Sequence, residues 1–171
     1  MKRIHICGIY GSGKSTLARY LSRKLNILHY SLDDIKYEIK YRKIRPVEER
    51  ISRVKEICKG DAWITEGTWS NYAEEAFKKC DLVVHLLPPK LTLYCRIMKR
   101  YFLRKKEKSD TFLNACKLVL QARKYHHTHE PVSLAAHRAL IKKYNKKYVL
   151  VRTGKELQKF LSDFFYCFEK P

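Results

Sequence analysis

The stretch RIHICGIYGSGKSTLARYLSRKL, residues 3–25, carries three local patterns in one run. Arg3 to Cys7 is a short apolar run that stops at a glycine, as a buried strand does, and Leu17, Ala18, Leu21 and Leu25 recur on one helical face. Between them Gly8 to Ser15 reads GIYGSGKS, which satisfies G-x-x-x-x-G-K-[ST] at every fixed position. A strand, a glycine-rich turn and a helix start in that order aim backbone N–H groups and the positive end of a helix at one point, and that point suits phosphate. Lys14 is expected to lie along the β- and γ-phosphates of a nucleoside triphosphate, and the Ser15 hydroxyl to ligate Mg²⁺. Gly8, Tyr10, Gly11, Ser12, Gly13 and Thr16 complete the expected nucleotide contacts.

Outward from this stretch, strands alternate with helices. Ile27 to Leu32, Ala62 to Gly67, Asp81 to Pro89 and Tyr148 to Gly154 read as four further strands. The run DLVVHLLPP is apolar without alternation, the pattern of a parallel strand buried on both faces. Ile35 to Gly60 reads as mostly helical with an interruption near Pro46, and Leu91 to about Tyr144 as a long basic helical stretch broken near Pro131. Leu157, Phe160, Leu161 and Phe164 close the chain at helical spacing. Five strands with intervening helices predict a doubly wound α/β sheet.

Composition limits what such a domain does. At 171 residues the chain fits one domain of the usual roughly 100–200 residues. Its 45% hydrophobic content, interleaved with 32% charged residues, excludes intrinsic disorder. No apolar run approaches the ~18 residues of a membrane span, and the N-terminus turns to glycine and lysine before a signal peptide is complete, so a cytoplasmic protein is expected. The 37 Lys and Arg exceed the 17 Asp and Glu by 20 charges. Residues 1–88 hold net +6 and residues 89–171 net +14, so the second half favours an anionic partner: nucleotide phosphate, nucleic acid or an acidic surface. The six cysteines show no CxxC spacing and read as reduced, buried or partly buried thiols; a zinc site needs clustered ligands, which their spacing does not supply.

The remaining chemistry lies at strand ends. Asp33 and Asp34 follow the second strand at the carboxyl edge of the sheet, where open α/β sheets bind ligands. A hydroxyl attacking a γ-phosphate needs a carboxylate to orient it and take its proton; one of the pair suits that role, and the other suits a helix N-cap. Glu66 ends the third strand with Gly67 beside it, an arrangement suited to holding Mg²⁺ through a water while the glycine lets substrate approach. Arg96, Arg100 and Arg104 recur every four residues on one helical stripe, where like charges repel unless a polyanion lies opposite. The segment HHTHE, with His126, His127, His129 and Glu130, reads as a polar loop.

The segments GIYGSGKSTLARYLSRKL, SLDD, AWITEGTW, DLVVHLLPP and CRIMKRYFLR together resemble the small P-loop kinases of the adenylate kinase and shikimate kinase type, and in layout the nucleotide-kinase-related DNA topology modulation proteins. The resemblance implies a P-loop NTPase three-layer sandwich, a five-stranded parallel sheet of order 2-3-1-4-5 and a helical lid at approximately 104–145 within a single domain, 1–171. It implies that Asp33 lies near an acceptor hydroxyl, with Asp34, Glu66 and Gly67 beside it, and that Arg96 and Arg100 are lid arginines. It also implies that the loop Arg152 to Gly154 packs on adenine. Glu66-Gly67 stands where many relatives carry Asp-Gly, and EGTWSN lacks the arginine of DGFPR, which sets the chain apart from adenylate kinase proper.

The expected function is therefore ATP- and Mg²⁺-dependent phosphoryl transfer to a hydroxyl or phosphate of a small metabolite such as a nucleoside or nucleotide, by a monomer or homodimer. A base-reading N-K-x-D is absent, which argues against a GTPase switch. A nucleic-acid-binding ATPase, or a kinase of polynucleotide 5′-hydroxyls, is the competing reading, raised by the basic second half.

Overall fold

The computed structural model describes residues 1–39, 43–103, 112–128, 130 and 132–169. In chain order the elements are β1 (Arg3–Gly8), α1 (Lys14–Leu25), β2 (His29–Ser31), α2 (Leu32–Lys36), β3 (Tyr37–Ile39), β4 (Lys43–Ile44), α3 (Val47–Ile57) and β5 (Trp63–Gly67). They continue with α4 (Glu74–Lys79), β6 (Leu82–Leu86), α5 (Lys90–Leu103), α6 (Phe112–Lys124), α7 (Leu134–Lys143), β7 (Tyr148–Val151) and α8 (Gly154–Glu169).

Five strands form one parallel sheet in the order β2-β5-β1-β6-β7. Counted over these sheet strands alone the order is second, third, first, fourth, fifth; the numbering shifts because β3 and β4 form a separate antiparallel pair. That pair lies where the sequence pattern predicts helix. The cause is a distant side chain: Arg45 Nη1 donates to the carbonyls of Asp34 and Ile35 at 3.0 and 2.9 Å and also to that of Tyr37, so α2 stops after five residues. Pro46 then occupies the N-cap position of α3 rather than interrupting a helix. The basic stretch after the fourth sheet strand likewise divides into α5, α6 and α7, with Arg104 and Pro131 outside the described residues.

Alternation along β1 divides the core. Ile4 and Ile6 face α1 and α8 in a cluster with Leu17, Leu21, Val84, Phe160 and Phe164, while Cys7 faces the opposite cluster with Val83, Trp63 and Phe77. Each fully buried aliphatic or aromatic side chain contributes roughly 1.5–3 kcal/mol. The partly exposed Arg3–Asp81 ion pair at 2.6 Å contributes at most about 1 kcal/mol, so the two apolar layers hold the sheet together and the ion pair only trims its edge. Because β1 lies between β5 and β6, the turn that follows it opens at the centre of the carboxyl edge. No helix among the described residues is long and apolar enough to cross a membrane.

Candidate active site

Three glycines around the turn after β1 have a backbone reason: Gly8, Gly11 and Gly13 have φ of 147°, 77° and 99°, and Gly13 is the N-cap of α1. Gly8 has a second reason, since a Cβ there would stand 2.4 Å from the Leu86 carbonyl oxygen of β6. Gly11 also admits α5, whose Ile97 side chain and Leu93 carbonyl would each lie 3.2 Å from an added Cβ. Tyr10 packs half-buried against the same α5 cluster. The Ser12 hydroxyl is buried and makes no hydrogen bond, a polar group held ready inside the loop. Thr16 follows in the first turn of α1, its backbone N–H directed to the Gly13 carbonyl at 3.1 Å.

Lys14 is 8% exposed, and its Nζ donates to the Ile9 carbonyl at 3.0 Å, folding the ammonium back over the loop. Burial pulls its pKa below the ordinary lysine value, while the charges of Glu66 and Asp33 oppose that shift and hold the cation in place. The Ser15 hydroxyl donates to Glu66 Oε1 at 2.9 Å, and Glu66 is 4% exposed at the end of β5. Two hard oxygen donors side by side at the phosphate loop fit Mg²⁺, which takes oxygen ligands and retains water.

Asp33 and Asp34 both fall in the first turn of α2, where negative charge is favourable, and the N-cap position belongs to Ser31. The expectation that one of the pair is the cap is thus replaced by a different division. Asp33 Oδ1 accepts from Trp69 Nε1 at 2.7 Å, while Asp34 is exposed. Trp69 is in turn covered by Lys36, whose Nζ lies 3.6 Å from the ring centroid, and it stacks on Tyr72, whose hydroxyl donates to the Leu32 carbonyl at 2.8 Å. Trp69 was invisible as an anchor in the sequence because no motif links positions 36 residues apart. Gly67 corrects another expectation. A Cβ at this position would meet the Leu32 side chain at 2.6 Å, so the glycine makes room for α2 against β5 rather than for a substrate.

Arg96 reaches the loop: its Nη1 donates to the Ser12 carbonyl at 3.2 Å and lies 3.4 Å from that of Gly11. Arg100 is exposed one helical turn further along α5, and Arg104 lies outside the described residues. Arg152 is exposed after β7, where its backbone N–H donates to Glu156 Oε2 at 2.6 Å, while the Thr153 hydroxyl accepts from the Glu156 N–H at 3.2 Å at the start of α8. In the HHTHE segment, Lys90 Nζ lies 3.0 Å from His127 Nε2 and Glu130 is exposed, while His129 is outside the described residues. The site therefore brings Lys14, Ser15, Glu66, Asp33 and Arg96 around one loop and leaves Asp34, Arg100 and Arg152 at its margins.

A phosphate loop on the central strand, with Glu66 from the neighbouring β5, Asp33 from α2 after the edge strand β2 and Arg96 from α5, agrees with what the chain is similar to. Residues 4–114 match the AAA domain family. The chain belongs to that family. This AAA domain is also 32% identical over 123 residues to the uncharacterised protein YqaC of Bacillus subtilis (strain 168), covering 66% of this chain and 69% of YqaC. Among solved structures, its fold matches the shikimate kinase of Acinetobacter baumannii in complex with shikimate, with TM-score 0.54 and 16% identity over 100% of this chain and 96% of that one. The shikimate kinase of Bacteroides thetaiotaomicron matches with TM-score 0.54 and 17% identity over 98% of each chain. At these identities the likeness concerns the fold, which is that of a P-loop kinase.

Proposed function

We propose that the chain, acting as one catalytic domain, transfers the γ-phosphoryl group of ATP to a hydroxyl of a small metabolite. The observation that supports this reading is Asp33, whose carboxylate accepts from Trp69 Nε1 and whose charge is felt at Lys14, as suits a group that receives an acceptor hydroxyl beside the γ-phosphate. A protein that only binds nucleotide has no need of an oriented carboxylate on that side of the loop.

On nucleotide binding, Lys14 leaves the Ile9 carbonyl for the β- and γ-phosphates, and the loop N–H groups take the remaining phosphate oxygens. Arg96 moves from the loop carbonyls to the charge developing on the transferring group. The acceptor oxygen bonds to phosphorus as the bond to the β-bridging oxygen breaks, and the hydroxyl proton passes to Asp33. Ser15 and, through a water, Glu66 would hold Mg²⁺, which would supply charge neutralisation to the phosphates. Arg152 and Gly154 are assigned to the adenine side, and Arg100 to closure over the phosphates.

The test is incubation of the full chain with ATP and Mg²⁺ against a panel of hydroxyl-bearing metabolites, nucleosides, nucleotides and oligonucleotides, read by mass spectrometry for a phosphorylated product. A phosphorylated small molecule is expected. Phosphorylation confined to oligonucleotide 5′ ends would select the polynucleotide reading, which the +14 charge of residues 89–171 favours. ADP formation with no phosphorylated acceptor would sink the kinase assignment. With the acceptor found, Arg96→Ala is expected to lower kcat about tenfold while nucleotide still binds. That is less than the loss of a buried oxyanion donor, because Arg96 is exposed to solvent.

A further inference from the structure

Directly beneath the phosphate loop lies a group of side chains that phosphoryl transfer does not use. Cys7 of β1 and His85 of β6 are register partners on adjacent strands, so both point to the sheet face that α4 and α7 cover. His137 of α7 reaches the same place, and one ligand atom from each of the three lies within 4.8 Å of the other two. Each residue is at most 1% exposed. The Tyr125 hydroxyl stands 2.8 Å from His85 Nε2 and 2.7 Å from His137 Nδ1.

The hydrogen bonds determine the tautomers. His137 Nε2 is 3.0 Å from the Thr68 carbonyl, which only accepts, so Nε2 carries the proton and Nδ1 presents a lone pair. That lone pair accepts from the Tyr125 O–H, whose oxygen then accepts from His85 Nε2–H. His85 Nδ1 is left as a bare lone pair. It is buried and has no hydrogen-bond partner, in a core where an unsatisfied polar atom incurs its full desolvation penalty. The Thr68 carbonyl on His137 is the kind of backbone partner that orients a metal-ligating imidazole.

We propose that Cys7, His85 and His137 form a buried structural zinc site, with the Tyr125 hydroxyl orienting the His85 ring from its Nε2 side. This goes beyond the kinase reading and does not depend on it. One thiol and two imidazoles without a carboxylate select a borderline-soft ion and disfavour Mg²⁺ or Ca²⁺. Tetrahedral zinc, with Zn–S of about 2.3 Å and Zn–N of about 2.0–2.1 Å, sets ligand atoms roughly 3.5 Å apart, so the side chains close by about an ångström around it. On binding, the Cys7 S–H bond breaks, sulfur bonds to zinc through its lone pair and the proton leaves to solvent, while the two imidazoles donate lone pairs without losing a proton. The ion would pin α7, and through Tyr125 the end of α6, to β6 and to β1, whose carboxyl end carries the phosphate loop.

The experiment uses the full chain produced with zinc in the medium, freed of loose metal by gel filtration and analysed by plasma mass spectrometry. About one zinc per chain is expected in the parent. Cys58→Ser, which removes another buried thiol, should retain it, and Cys7→Ser and His137→Gln should lose it. Because a core variant can fail to fold, the parent is also stripped with chelator and titrated with Co²⁺. A thiolate-to-cobalt absorption band in the near ultraviolet is expected, together with a rise in melting temperature on adding zinc. Tyr125→Phe should keep that band and weaken zinc about tenfold. No bound zinc and no cobalt band in the parent, or equal zinc in the parent and a folded Cys7→Ser variant, would overturn the site.

Discussion

Lys14→Met is expected to remove phosphoryl transfer almost entirely while leaving the protein at least as stable as the parent. The ammonium is a buried point charge whose pKa is depressed first by desolvation, so the folded chain carries an electrostatic cost for keeping it there. Methionine fills a similar volume without that cost and gives up one hydrogen bond, to the Ile9 carbonyl. Catalysis loses the charge aimed at the β- and γ-phosphates, and the loss of one preorganised electrostatic contact lowers kcat by about 10²–10³-fold. Turnover and thermal unfolding measured on the same preparation separate the two effects. A variant that turns over at the parent rate would remove Lys14, and with it the phosphate loop, from the mechanism.

Asp33→Asn keeps the shape of the side chain and an Oδ1 able to accept from Trp69 Nε1, so the 2.7 Å bond and the packing of α2 survive. What it loses is the basic oxygen that the proposed mechanism uses to take the acceptor proton. Acid–base assistance is worth about 10²–10⁴-fold, and kcat should fall within that range with KM for ATP little changed. Asp34→Asn, on the exposed side of the same helical turn, should change kcat by less than about twofold, as a surface substitution outside the reaction does. Equal and small effects at both positions would leave the pair with only a favourable interaction with the helix dipole and would remove the general base.

What was legible in the sequence was whatever is encoded in contiguous residues. GIYGSGKS occupies eight consecutive positions and brings its own strand and helix with it, and the apolar run of β6 declares a buried parallel strand within five residues. Features made by residues far apart in the chain were not legible. The β3–β4 pair exists because Arg45 reaches back to carbonyls up to eleven residues earlier and ends α2, which local periodicity does not record. Gly67 looked like an opening for substrate, and only the packing of α2 shows Leu32 in that space. Asp33 and Asp34 are chemically identical neighbours, and Trp69 tells them apart. Cys7, His85 and His137 share no spacing rule; the register of β1 with β6 and the docking of α7 bring them together.

The contact between Trp69 and Asp33 also gives the protein an optical property. The chain has two indoles: Trp63 is 1% exposed in the core, and Trp69 is hydrogen-bonded to the carboxylate and covered by the Lys36 ammonium at 3.6 Å. An acceptor that settles on Asp33 changes the electric field at one chromophore and leaves the other as a constant background. Intrinsic emission thus becomes a titration signal for acceptor occupancy in the absence of turnover. Trp69→Phe, with Trp63 still emitting, should give a flat trace over the same ligand series.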